Sequence, residues 1–285
     1  MAMRLYLIGG FKGGAGRSLT AALLAYGLHL LGRPTLLIRQ TCDGLVSAIE
    51  PIGTTLPLPC RDVALPPAYV LPPDLSDEMI RTIEAADERL STALAEEAIT
   101  TIGPNGDVVV DLCCHVRGLN ERILRGAAAV LLPVRASVFE IDWAVRSLGQ
   151  VRDLQTGRGR VRDLECRPDP VHDLRPAAPV LLATIAPGAV RSDQLRLLGA
   201  MLRYADHADR GPRAGEPSRI LVEVPFLDDA RLAALFDRRQ IWREADLTER
   251  CRAFASAVVL RSNADAGPTA QVAGPAAPPD VANPP

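Results

Sequence analysis

Leu5-Tyr6-Leu7-Ile8-Gly9-Gly10-Phe11-Lys12-Gly13-Gly14-Ala15-Gly16-Arg17-Ser18-Leu19 is the stretch that decides the fold of this chain. The apolar run from Arg4 to Gly10 reads as a buried strand closed by glycines. Ser18 to Leu31 is long, apolar and built of good helix formers, with Gly32 as its stop. A loop between a strand end and a helix start presents free backbone N–H groups and the positive end of a dipole. Glycines at 13, 14 and 16 let such a backbone close around a phosphate. Lys12 is the only lysine in the chain; the other 31 of the 32 Lys plus Arg residues are arginine. A compact ammonium kept among planar guanidinium groups points to a phosphate contact at that position.

Outward from this loop, Thr35 to Ile38 is a second buried strand, so the first 38 residues form a βαβ unit and predict a parallel sheet. Residues 51–75 are proline-rich and read as irregular. Ser76 to Thr100 reads as a helix capped by Ser76, with Asp77 and Glu78 in its first turn. Asp107 to Asp111 is a third strand with a carboxylate at its C-terminal end. A short helix over Leu119 to Arg125, a strand over Ala128 to Pro133 and a helix over Glu140 to Leu154 follow. Residues 155–178 are polar and rich in Arg and Pro, the pattern of an inserted surface loop. A strand over Val180 to Thr184, a helix over Ser192 to Tyr204, a strand over Ile220 to Val224 and a closing helix over Leu247 to Leu260 complete the pattern. The expectation is one α/β domain over 1–262, a mostly parallel central sheet with helices on both faces, and an unstructured Ala/Pro-rich tail over 263–285.

Composition narrows the function classes. The formal charge is −2, so no global basic field advertises nucleic acid. The longest apolar stretch, Leu19 to Leu31, contains His29 and is too short to span a bilayer. No small-residue cleavage site follows it, and the tail holds no amphipathic anchor, so the reading is a cytoplasmic protein. Six cysteines, including the adjacent Cys113 and Cys114, show neither a CxxC pair nor zinc spacing. His115 lies beside a motif, but nothing near it in sequence orients it as a base. Glu140 and Asp142, two residues apart, lie on different helix faces and make no acid–base pair.

The common phosphate loop is G-x-x-x-x-G-K-[ST]. Here Phe11 stands for the first glycine and Arg17 for the lysine, while Ser18 keeps the hydroxyl that ligates Mg²⁺. The order Lys12-Gly13-Gly14-Ala15-Gly16-Arg17-Ser18 resembles the deviant Walker A motif, K-G-G-x-G-K-[ST], of the ParA/MinD family of ATPases. The resemblance covers most of residues 1–262. It implies a P-loop NTPase-like fold, ATP and Mg²⁺ as cofactors, and a homodimer formed around the nucleotide. Lys12 takes the place of the lysine that reaches the partner subunit's ATP, and Arg17 that of the lysine holding the β- and γ-phosphates. Gly13, Gly14, Ala15, Gly16, Arg17, Ser18 and Leu19 match the phosphate-binding segment. Val108 to Asp111 resembles the Walker B strand, which makes Asp111 the second residue of the Mg²⁺ site. Val224-Pro225-Phe226 is similar to the segment flanking the nucleotide base.

Two departures bear on chemistry. The Walker B strand continues as Leu112-Cys113-Cys114-His115 where the family has a Pro-Pro-Gly turn. After the second strand the family carries D-x-D-P-Q-G, whose second Asp supports hydrolysis; the aligned residues are Arg39-Gln40-Thr41-Cys42-Asp43-Gly44, with Thr41 at that position and Asp43 two residues later. The resemblance thus implies an ATP-binding switch for plasmid or chromosome partition or cargo positioning, with slow hydrolysis. The alternative is a non-hydrolysing nucleotide-binding regulatory subunit acting through protein contacts. The partners implied are a second copy, an adaptor or centromere-binding protein, and weak non-specific DNA, which Arg231, Arg238, Arg239 and Arg243 would meet at its phosphates. Arg158, Arg160 and Arg162 alternate in the inserted loop among Asp163, Glu165 and Asp169 and read as solvated.

Overall fold

The computed structural model of the chain describes residues 3–9, 16–41, 55–64, 77–112, 124, 126–155, 178–207 and 220–265. Its elements, in chain order, are β1 (Arg4–Ile8), α1 (Arg17–Leu30), β2 (Thr35–Thr41), β3 (Cys60–Ala64), α2 (Asp77–Ile102) and β4 (Asp107–Asp111). There follow β5 (Ala127–Arg135), α3 (Val138–Gln155), β6 (Val180–Ile185), α4 (Gly188–His207), β7 (Leu221–Glu223), α5 (Asp229–Phe236) and α6 (Ala245–Asp265). The seven strands form one sheet in the order β3-β2-β4-β1-β5-β6-β7. Every pairing is parallel.

Continuous apolar runs make this sheet buried on both faces, as parallel sheets require. Alternate residues divide between two cores. Ile8, Leu37, Val109 and Leu131 pack with α1 and α6 on one face. Leu7, Leu36, Ile38, Val108 and Val110 pack with residues of α2, α3 and α4 on the other. Helices therefore cover both faces, as the sequence pattern predicts. Gly27 lets α1 and α6 cross closely: a Cβ there would lie 2.2 Å from the Cys251 carbonyl oxygen and 2.7 Å from the Ala255 Cβ. Tyr26 locks the same face, its hydroxyl donating to the Trp242 carbonyl and its ring meeting that indole edge-on with centroids 5.1 Å apart.

The structure corrects the sequence reading in three places. Residues 51–75 are not irregular throughout, since Cys60–Ala64 forms the edge strand β3 beside β2. An edge strand tolerates charges such as Arg61 and Asp62, which mask its strand character. The last helix runs on to Asp265, past the boundary set at 262. The final strand is shorter than expected and spans only Leu221–Glu223. The Ser76 cap, the helix over Leu119 to Arg125 apart from Leu124 and Arg125's neighbour Gly126, the inserted loop between 156 and 177, and the tail beyond 265 lie outside the described residues.

Candidate phosphate site

The order of the strands points to a candidate site before any side chain is considered. After β1 the chain adds β2 and β3 on one flank, with β4 returning to β1's side, and β5, β6 and β7 on the other. The connections diverge at the C-terminal end of β1, and in parallel α/β sheets ligands bind in the crevice at that point. The backbone stays in register up to this edge: the Gly9 N–H donates to the Leu131 carbonyl at 3.0 Å, and the Leu112 N–H to the Ile8 carbonyl at 3.1 Å. The loop leaving β1 is the glycine-rich motif. Lys12, Gly13, Gly14 and Ala15 lie outside the described residues, as do Asp43, Gly44, Cys113, Cys114 and His115.

Gly16 opens α1 with φ +84°, in the left-handed region that favours glycine. A Cβ at Gly16 would sit 2.8 Å from the Ile185 side chain, so both space and conformation call for glycine there. No side chain caps the helix start. The Thr20 N–H and hydroxyl both return to the Gly16 carbonyl, at 2.9 and 2.8 Å. Arg17, Ser18 and Leu19 then form the first turn of α1, whose N–H groups have no intrahelical acceptor.

Three predicted residues meet at this helix start. Asp111, at the end of β4, is 5% exposed, and the Ser18 hydroxyl hydrogen-bonds its carboxylate. Arg17 lies beside the same carboxylate and donates from Nη1 to the Leu112 carbonyl at 2.8 Å. Burial pushes the Asp111 carboxyl up, while the Ser18 hydrogen bond and the nearby Arg17 and Arg39 guanidinium groups pull it back; burial wins. Ser18 and Asp111 offer a hydroxyl and a carboxylate oxygen, the donor chemistry Mg²⁺ takes, and they fit that ion.

Pro225 is buried in the segment after β7, at the same edge of the sheet but three strands from β1. Sequence reasoning missed Arg39 and its partner. Arg39 pairs with Asp62 through two hydrogen bonds of 2.6 and 2.7 Å and stands in register beside Asp111. Among the proposed DNA-contacting arginines, Arg231 is engaged internally with Glu244 at 2.8 Å and Asp246 at 3.1 Å. Arg239 pairs with Asp237 at 3.3 Å, and Arg238 and Arg243 are exposed. Asp142 pairs with Arg146 at 2.9 Å along α3, as a solvated helix face does. Among the described residues, no group of three or more His, Cys, Asp or Glu side chains could hold a metal ion.

No protein-family model matches this chain, and no curated protein matches it in sequence. Solved structures match it in fold. ParA of pNOB8 superposes with a TM-score of 0.51 at 13% identity, covering 92% of this chain and 99% of that one. The fold is that of the ParA/MinD P-loop ATPases. Also similar are McdA from Cyanothece in complex with ATP, with a TM-score of 0.48 at 13% identity over 90% of this chain and 96% of that one, and MinD in the MinC:MinD complex from Aquifex aeolicus, with 0.45 at 15% identity over 92% and 94%. No helix among the described residues is long and apolar enough to cross a membrane.

Proposed function

We propose that this chain is an ATP-binding switch of the ParA/MinD kind, which dimerises around nucleotide, hydrolyses it slowly and so times the partition or positioning of a cargo. The observation that carries this reading is the meeting of Ser18, Arg17 and Asp111 at the start of α1, where the strand order reverses and the Lys12-Gly13-Gly14-Ala15-Gly16 loop arrives. The first-turn N–H groups of α1 bind phosphate oxygens, and Arg17 adds charge beside them. Ser18 and Asp111 would hold Mg²⁺, which when bound neutralises β- and γ-phosphate oxygens. Thr41 in place of the hydrolytic carboxylate leaves the attacking water without an orienting group, so turnover is slow.

An apolar patch supports dimerisation across this edge. Val138 and Phe139 begin α3, which follows β5 at the edge where the phosphate site lies, and Trp143 is one turn further on. Phe139 is 77% exposed and Trp143 47%. Large apolar groups gathered beside a site mark a contact surface. Thr41 favours a second reading, the regulatory subunit that binds nucleotide without hydrolysing it and signals through protein contacts. Calorimetry and light scattering decide the matter: ATP with Mg²⁺ binds more tightly than AMP and converts monomer to dimer. Absence of ATP binding at millimolar concentration refutes the nucleotide reading. A gel shift at low salt, lost on substituting Arg238 and Arg239 by Glu and falling steeply with salt, tests the DNA partner.

A further inference from the structure

Arg39 has a donor that no described residue uses. By register it lies between Asp62 of β3 and Asp111 of β4. Residues paired in a parallel ladder present their side chains to the same face. Leu37, two residues before Arg39, and Val109, two before Asp111, pack with α1. Arg39, Asp62 and Asp111 therefore form a rank of charges on the face from which α1 rises. The guanidinium commits one edge of its fork to Asp62, through Nε at 2.6 Å and Nη2 at 2.7 Å. Nη1, on the other edge, is buried without a hydrogen-bond partner among the described residues, and the residue as a whole is 8% exposed. A buried cationic donor left unpaired is costly, and such groups are kept where a ligand completes them. Arg39 also acts on the phosphate edge electrostatically, since its charge is felt at the Asp111 carboxylate.

Among the described residues of this edge, the carboxylates of Asp62 and Asp111 stand beside the guanidinium groups of Arg39 and Arg17. A triphosphate arriving here meets two guanidinium groups in addition to the helix start. We propose that Arg39 is a phosphate-binding residue of this chain, its Nη1 acting with Arg17 to let a nucleoside triphosphate bind in the absence of Mg²⁺. The proposal rests on the nucleotide reading above, but the two fail in different ways.

The test is calorimetry of ATP binding to the full chain in Mg²⁺ and in excess EDTA, for wild type, Arg39→Gln and Asp62→Asn. Wild type is expected to bind in EDTA within about ten-fold of its affinity in Mg²⁺. Arg39→Gln is expected to lose about ten- to a hundred-fold in EDTA, the size of a charged hydrogen bond, and less in Mg²⁺. Asp62→Asn removes the competing carboxylate, which is half-exposed, and leaves Arg39 free, so metal-free binding tightens. If Arg39 served only its ion pair, neither substitution would alter metal-free binding. Binding by wild type in Mg²⁺ but not in EDTA overturns this proposal and leaves the nucleotide reading standing. No binding in either buffer overturns both. Should Arg39→Gln fail to fold by circular dichroism, Asp62→Asn decides alone: metal-free binding that is unchanged or lost there refutes the role.

Discussion

Replacing Arg17 by lysine perturbs stability and nucleotide handling in opposite directions. Arg17 Nη1 donates to the Leu112 carbonyl at 2.8 Å, beside Asp111. Leu112 is 2% exposed, so little water can take over that carbonyl. A hydrogen bond from a charged donor contributes about 1.5–3 kcal/mol. Lysine lacks the planar fork that reaches this carbonyl and Asp111 together. Arg17→Lys should therefore lower stability by up to that amount, and for a domain of this size lower Tm by about 3–12 °C. With ATP the sign changes. An ammonium released from Leu112 is free for the β- and γ-phosphates, and each ten-fold tightening of Kd adds about 1.4 kcal/mol of ATP-dependent stabilisation at fixed ATP. Thermal melts by circular dichroism, with and without ATP, measure both effects. Phosphate release measured for wild type, Arg17→Lys, Thr41→Asp and the double variant completes the test. The double variant should exceed the two singles combined, because groups acting as a unit are non-additive. A variant as stable as wild type, with an unchanged ATP shift, would refute the claim that the bond to the Leu112 carbonyl anchors Arg17.

Lys12→Ala should leave the monomer folded and abolish the ATP-induced dimer in light scattering; a variant that still dimerises removes the cross-subunit role. Among the described residues the buried Tyr6 hydroxyl has no hydrogen-bond partner, and burial, reinforced by Asp107, pushes it up to about 12 from the ordinary 10.0. The fold favours the neutral phenol, so this contribution is intact below pH 10 and is lost as pH rises towards 12, by on the order of 3 kcal/mol. Tyr6→Phe should flatten that alkaline loss while changing stability at pH 7 by no more than about 1 kcal/mol, as urea titrations at both pH values would show. Arg238 holds φ +58° just beyond α5, with its N–H on the Leu235 carbonyl and that of Arg239 on the Ala234 carbonyl. That is the helix-ending turn in which glycine is preferred, so Arg238→Gly should raise stability by about 1 kcal/mol; a fall in the urea midpoint would contradict it.

The sequence made the middle of the sheet legible and its rim less so. Asp107–Asp111 emerges with the bounds read from its apolar run, since a strand buried on both faces must be apolar throughout. β3 was missed because Cys60-Arg61-Asp62-Val63-Ala64 follows Pro59 and carries two charges, which only an edge strand accepts. The same oversight hid half of the phosphate edge. Ser18, Arg17 and Asp111 could be read because each belongs to a motif with fixed spacing. Arg39 and Asp62 belong to none; they meet only because β2 and β3 pair in the register that sets them opposite each other.

That pair gives the altered motif a consistent chemical sense. At the positions of the D-x-D pattern this chain has Arg39 and Thr41, so the edge is three charge units more positive than two aspartates would make it, two from Arg39 and one from Thr41. Asp62 offsets one of them on the far side of Arg39. Each change favours holding an anion, and the loss of the carboxylate at Thr41 disfavours activating water against it. Arg17 has the same effect, since it keeps the lysine's charge while its fork is anchored at Leu112. A site so altered should hold a triphosphate for longer than it takes an ordinary member of this fold to cleave it. In a nucleotide-gated dimer of the kind proposed above, that extends the lifetime of the assembled state until slow hydrolysis ends it.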